Sequence, residues 1–341
     1  MALETDWQAN EDAGKGGLAR LQPTPSTAIS EGLREEIAAA RTYRAQAKAA
    51  NTIRAYESDW RQFEAWCDAR RLDPLPARPE AVATYLASLA LAGKADSTIG
   101  RHLAAITWRH RQDGHVPPNG RDERMVIADT LAGIRREQRA RPSAKKAAIS
   151  AADLGRMMAA ADGMGSRSVR DRALLVLGFA AALRRSELVA LQLADVAFVE
   201  AGLKLTIRHS KTDQEGEGHV IAVPSGKTLK PVARMTAWLE RRGRAPGPLF
   251  LQIDPQGQLT DLPMSDRSVA RLIQKYAGFV GLDPEAVGGH SLRAGFLTEA
   301  ARTRASIAKM QEVSRQKKVD VLLGYVRSAE LFENHAGEAF L

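Results

Sequence analysis

The chain has 341 residues, 44% of them hydrophobic, enough to bury one large core or two ordinary ones, and the usual domain size favours two. Its formal charge is +9, and because residues 1–29 hold four acids and two bases, the remainder carries +11, a surplus suited to a polyanionic partner. A single cysteine, Cys67, excludes an internal disulfide and a thiolate metal cage. No apolar run reaches membrane-spanning length and the acidic start lacks a leader pattern, so a cytoplasmic chain is expected.

Residues 1–28 mix Gly, Pro, Thr and acids without periodicity and are expected to lack fixed structure. A helical pattern begins at Ser30. Within it Ile53, Tyr56, Trp60, Phe63 and Cys67 share one face, with Asn51 or Thr52 available as a cap. After Pro79 a second stripe holds Val82, Tyr85, Leu86 and Leu89, and Gly93 is placed to stop it. A third helix from about Ser97 turns Ile99, Leu103 and Ile106 inward, and a fourth does the same with Ile127, Leu131 and Ile134. Nothing between Ser30 and Arg139 alternates with a period of two, so an all-helical bundle is predicted over residues 29–138.

A basic run, Arg135, Arg136, Arg139, Arg141, Lys145 and Lys146, then overlaps a linker placed at 139–149, where Pro142 forbids a continuous helix. Beside two basic domains it reads as a strap across phosphates, although a solvated charge run has the same composition. Arg101, Arg109 and Arg111, with Arg139 and Arg141, are the candidate DNA contacts, since phosphate-binding arginines position a protein on a duplex, although an exposed helix face looks the same.

The second half, 150–341, opens with Ser150 as a helix cap, and Ala173–Leu183 is apolar on nearly every face, as in a helix inside a core. Leu203–Ile207 and His219–Val223 read as antiparallel strands joined by a long turn. Helices follow over 229–241, 265–280, 290–303 and 306–315. A short one bears or ends at Tyr325, and a last one starts from Ala329. The fold class is therefore mainly α with a small antiparallel sheet.

Four separated stretches carry chemistry. Arg184 lies in Leu-Arg-Arg-Ser-Glu-Leu, Lys211 in His-Ser-Lys-Thr, His290 and Arg293 in Gly-His-Ser-Leu-Arg-Ala, and Tyr325 in Leu-Gly-Tyr-Val-Arg. Attack on a phosphodiester needs a nucleophile, charge neutralisation at the non-bridging oxygens and a proton for the leaving oxygen. Two arginine forks can clamp one phosphate, a lysine on a mobile hairpin can protonate the leaving group, and a histidine exchanges protons near neutrality. Glu187, three residues after Arg184, is placed to hold that arginine. His290 and Arg293, three apart after Gly288-Gly289, are expected on one helix face. Taken singly, each of these is an ordinary packing or surface residue.

Together, in this order and spacing, they resemble the tyrosine recombinases or phage integrases, most closely the Cre-like members, over about residues 30–341. The resemblance implies an all-helical core-binding domain followed by a tyrosine-recombinase catalytic domain. It implies Tyr325 as nucleophile forming a 3′-phosphotyrosyl link, Arg184 and Arg293 on the phosphate, Lys211 as proton donor and His290 as proton carrier. The partners implied are double-stranded DNA and further copies of the chain, a tetramer on paired sites. Neither metal nor other cofactor is required, and no Asp/Glu/His cluster has metal-ligand spacing. One position departs. Nine residues before the tyrosine, where the family carries histidine or tryptophan, stands Gln316, whose amide can donate a hydrogen bond but cannot exchange a proton. Two other outcomes share these residues: type IB topoisomerase-like relaxation, and a DNA-binding descendant weakened in catalysis. In relatives of this kind the final helix docks into a neighbouring protomer, and Leu331, Phe332, Phe340 and Leu341 give this chain an apolar tail suited to that or to docking onto its own domain.

Overall fold

The computed structural model describes residues 31–46, 48–121, 124–139, 146–208 and 218–329. Residues 1–28, Arg141, Lys211 and the helix expected beyond Ala329 lie outside this set. The chain divides into two compact units, residues 1–143 and 144–341.

Among its described residues the first unit has helices and connecting loops without a strand: α1 Glu31–Gln46, α2 Ala50–Asp68, α3 Pro79–Leu91, α4 Asp96–Gln112 and α5 Met125–Arg139. Its core is the convergence of the apolar stripes, with Phe63, Val82, Leu86, Ile99 and Ile106 fully buried and Trp60, Tyr85, Ile127, Leu131 and Ile134 nearly so. Gly93 adopts φ +74° just past α3, as a helix-ending glycine does. The cap expected at Asn51 or Thr52 is absent. Ala49 is the N-cap, both residues lie inside α2, and Asn51 accepts a hydrogen bond from Arg54 instead.

Two histidines of α4 are structural. His102 Nδ1 is 2.9 Å from the Tyr85 hydroxyl with its other nitrogen facing Asp59, and His110 Nε2 accepts from the Ala77 N–H at 2.9 Å. Burial holds both imidazoles below their ordinary pKa range.

The second unit contains α6 Ala151–Ala160, α7 Ser166–Ala180, α8 Arg185–Ala190, α9 Pro231–Arg242, α10 Asp266–Phe279, α11 Ser291–Arg302, α12 Ile307–Ser314 and α13 Val319–Ala329. The apolar α7 lies at the centre, its Ala173–Leu177 stretch wholly buried. A three-stranded antiparallel sheet runs β1 Val196–Val199, β2 Gly202–Ile207 and β3 His219–Pro224, in that order. Leu205 of β2 pairs with Val196 on one side and Ile221 on the other. Leu203, Leu205 and Ile207 face the core while Lys204 and Thr206 face solvent, the alternation legible in the sequence.

Strand β1 and a second hairpin, β4 Leu251–Ile253 with β5 Leu259–Pro263, were not among the expected elements. The helix over 229–241 starts only at Pro231, because Lys230 turns left-handed at φ 47° immediately before it. The segment placed in the linker, 139–149, is partly structure. Arg139 closes α5, while Ala147 and Ile149 donate backbone hydrogen bonds to Ala286 and Ser291, and Ile149 is fully buried in the second core.

Candidate active site

The site is assembled at the junction of α7, α8, α11, α12 and α13. After α7 the chain reverses through Ala182, at φ 46°, which makes Arg184 the N-cap of α8. The Ala182 carbonyl accepts a 2.8 Å hydrogen bond from Nη1 of Arg293 on α11. That bond brings the two arginines of the sequence motifs to one place although 109 positions separate them.

Glu187 organises this place. Its side chain is buried, with Oε1 accepting from Arg184 Nη1 at 2.6 Å and Oε2 accepting from the Arg184 backbone N–H at 2.8 Å. The same Oε2 accepts from Nη2 of Arg315 at 2.8 Å. Burial by itself would raise the Glu187 carboxyl, but Arg315 and Arg184 bring it below the ordinary glutamate range, so it is charged. Two arginines thus hold one carboxylate, and with Arg293 close enough to interact with it electrostatically the cluster carries an excess of positive charge ready for an anion.

Arg293 is 5% exposed, and burial together with Arg184 and Arg315 lowers its pKa to about 10, against the upward pull of Glu187 and Tyr325. It stays charged at neutral pH, and Tyr325 lies within electrostatic range of it. Tyr325 sits on α13, half-buried, packed with Val326 against the small core made by Leu297, Ala301, Met310 and Leu322. Packing of α13 on α11 and α12 therefore fixes the tyrosine helix against the helix bearing Arg293 and the one whose end leads into Gln316.

His290 is the N-cap of α11 and is exposed, whereas Arg293 is buried; the two do not share one exposed face. Surrounding protein together with Arg293, Arg184 and Arg185 pushes the imidazole below its usual range, so it is neutral at pH 7. Its position depends on Gly289, where an added Cβ would stand 1.7 Å from Cδ of Arg185. Gln316, half-buried just past α12, presents Oε1 to Nη2 of Arg293 at 3.5 Å. Lys211 belongs to the stretch 209–217, outside the described residues. The strands flanking it end at the Ile207–His219 pair, and His219 Nε2 is 3.2 Å from the Glu312 carbonyl of α12.

The sequence reading missed Arg315. It stands in Ser-Arg-Gln-Lys-Lys, which looks like a solvated basic run, yet it is buried and paired with Glu187 from 128 positions away. Its adjacency to Gln316 was the available signal.

Of the arginines assigned to DNA, Arg101 is bonded to buried Asp59 at 2.8 Å, and Arg109 is paired with Asp113 and lies 5.6 Å from the centre of the Trp60 ring. Each keeps nearly half its side chain exposed. Arg111 and Arg139 are exposed.

A charged carboxylate holding arginines beside a tyrosine helix, on a mainly helical unit with a small sheet, defines an enzyme class acting on phosphodiesters through tyrosine. Residues 148–330 match the Phage integrase family, and residues 41–108 match the Phage integrase N-terminal SAM-like domain. The chain belongs to the phage integrase family and is a tyrosine-type site-specific recombinase. It is 34% identical over 298 residues to an integrase/recombinase XerD homolog of Selenomonas ruminantium, covering 85% of both chains. It is 26% identical over 306 residues to a tyrosine recombinase of Synechococcus elongatus, covering 84% of this chain and 88% of that one. In fold it is similar to the XerH site-specific recombinase bound to palindromic difH substrate, with a TM-score of 0.57 and 14% identity over 89% of this chain and 83% of that one.

Proposed function

We propose that Tyr325 is the nucleophile and that duplex DNA is the substrate. Tyr325 Oη attacks the scissile phosphorus, and the bond to the 5′ oxygen breaks as the 3′-phosphotyrosyl bond forms. The leaving oxygen takes its proton from Lys211. Arg184 and Arg293 neutralise the non-bridging oxygens, neutral His290 takes the proton released from the tyrosine hydroxyl, and the Gln316 amide donates a further hydrogen bond. A 5′-hydroxyl from a second strand then attacks the link and releases the tyrosine. One phosphodiester replaces another, so ATP is not consumed.

The observation that carries this reading is the convergence of Arg184, held by Glu187, with Arg293, bonded to the Ala182 carbonyl of the same turn, and of Tyr325 within electrostatic range of Arg293. Residues 29–138 serve as a core-binding domain and the basic stretch at 139–149 as a strap on phosphates, with Arg101, Arg109, Arg111, Arg139 and Arg141 as backbone contacts. Strand exchange needs four cleavages on two sites, hence a tetramer on paired DNA, working in the cytoplasm. Among the described residues no helix is long and apolar enough to cross a membrane.

The test is incubation with a nicked suicide duplex bearing the native site. Wild type is expected to trap a covalent adduct and Tyr325→Phe to trap none. An adduct that persists in the variant, or never forms with wild type, removes Tyr325 from the role.

A further inference from the structure

Arg315 breaks two local rules. It caps α12 with φ 55° and ψ 34°, a left-handed conformation unfavourable to an L-residue other than glycine. Its guanidinium is also buried, and Nε finds no acceptor among the described residues, an arrangement unfavourable to stability. Residues that violate local preferences concentrate at functional sites, where another demand holds them in place.

That demand is visible in the bonds Arg315 makes. Nη1 donates to the Val313 carbonyl at 2.8 Å, clasping its own turn, and Nη2 reaches Glu187 at 2.8 Å. Glu187 holds Arg184 by both guanidinium and backbone. The next residue along the chain from Arg315 is Gln316, whose Oε1 faces Arg293. The route from one phosphate-facing group to another therefore runs Arg184, Glu187, Arg315, Gln316, Arg293, Ala182, and returns to the Arg184 turn. A neutral glutamine has a flexible stem and one donor-bearing end, so its usefulness depends on being held. Arg315 holds the backbone on which it stands.

We infer that Arg315 is a positioning residue that ties the end of α12 to Glu187 and thereby fixes the Gln316 amide at the scissile phosphate. This rests on the phosphotyrosyl reading above. It assigns a role to a residue that does not touch the reacting atoms.

The experiment is a double-mutant cycle on single-turnover cleavage of the suicide duplex, using Arg315→Gly, Gln316→Ala and the pair, with thermal melts of each. Glycine suits the left-handed backbone, so the change removes the side chain and its guanidinium without straining the turn. Arg315→Gly is expected to slow adduct formation roughly 10- to 100-fold in the wild-type background, the range for groups that orient a catalytic neighbour. On the Gln316→Ala background the same change is expected to cost less than about 2-fold, because the group it positions is gone. Multiplying costs, or wild-type cleavage by Arg315→Gly, overturn the inference while leaving Tyr325 in its role. No adduct from wild type overturns both. Should Arg315→Gly lack a cooperative melt, Arg315→Lys runs through the same cycle, since one ammonium cannot span Val313 and Glu187 as the fork does. Non-multiplying costs from that variant support the inference, and multiplying ones reject it.

Discussion

Glu187 holds Arg184 twice, with Oε1 2.6 Å from the guanidinium Nη1 and Oε2 2.8 Å from the backbone nitrogen. One carboxylate therefore sets where the arginine's main chain turns into α8 and where its fork points. The i, i+3 spacing makes this possible, since residues three apart on a helix's first turn meet on one side.

Replacing Glu187 tests that double hold. Glu187→Ala leaves Arg315 buried without its counter-charge and is expected to destabilise the second unit by about 3–5 kcal/mol, read by denaturant titration. Glu187→Gln keeps the shape and is expected to cost less stability while slowing cleavage roughly 10- to 100-fold. The pH dependence has a definite sign. The folded carboxyl is held below the ordinary glutamate range, so its stabilisation is complete above about pH 4.3 and is lost as pH falls through the folded value. The Tm gap between wild type and Glu187→Gln should accordingly narrow on acidification below about pH 4.3. A gap that stays constant to pH 3 counts against the ion-pair account.

His290 gives a second pH prediction. Surrounding protein and three arginines depress its pKa, so the free enzyme retains neutral imidazole at the pH where an ordinary histidine is half protonated, about 6.5. Cleavage at subsaturating DNA, which reports the free enzyme, is expected to hold between pH 8 and 6.5 and to decline only below that. His290→Gln should abolish the acid limb. An apparent pKa at or above 6.5 for a limb that His290→Gln removes contradicts the assignment.

Much of this architecture is readable from residue order, for reasons that differ by element. The core helix α7 announces itself because an apolar run on every face has no surface to present, and β2 and β3 because their alternation extends over five or more residues. The β4–β5 hairpin does not, since Leu251-Gln-Ile253 is too short to establish a period. The break between α1 and α2 passes through Lys48 and Ala49, good helix formers, and Ala49 is extended there at ψ 141°. Propensity predicts continuation, so tertiary context decides. Within the site, Arg184 and Glu187 are local partners and legible as such. The Arg315–Glu187 and Arg101–Asp59 pairs are not, since a basic residue in a basic run gives no sign of an acid 128 or 42 positions away.

Gln316 should limit the rate. Its amide can donate to the phosphate but cannot relay a proton, so Gln316→His, which can do both, is expected to raise the single-turnover cleavage rate. Gln316→Ala, with no donor, is expected to lower it by roughly 100-fold, as for loss of one donor to a developing oxyanion. Equal rates for all three side chains show that position 316 does not contact the transition state.

Two glycines of the site are expected to fail in different ways when given a methyl group. At Gly295 an added Cβ would stand 1.9 Å from the Ile149 carbonyl oxygen, which is backbone and fully buried, so neither partner can turn aside. Gly295→Ala is expected to lose at least about 1–3 kcal/mol, the range for overpacking a core, and to shift α11 together with Arg293, two residues earlier. At Gly289 the obstruction is the Arg185 side chain, with Cδ at 1.7 Å, and this stem can swing out because it is a flexible, 41% exposed side chain only loosely paired with Asp266 at 3.8 Å. Gly289→Ala is expected to keep a near-wild-type melt while displacing Arg185 from beside His290. Because Arg185 is one of the cations that depress His290, the imidazole should then titrate at higher pH, observable as an upward shift of its ring-proton NMR titration. A cooperative near-wild-type melt for Gly295→Ala, or an unmoved His290 titration in Gly289→Ala, contradicts this division between a backbone clash and a side-chain one.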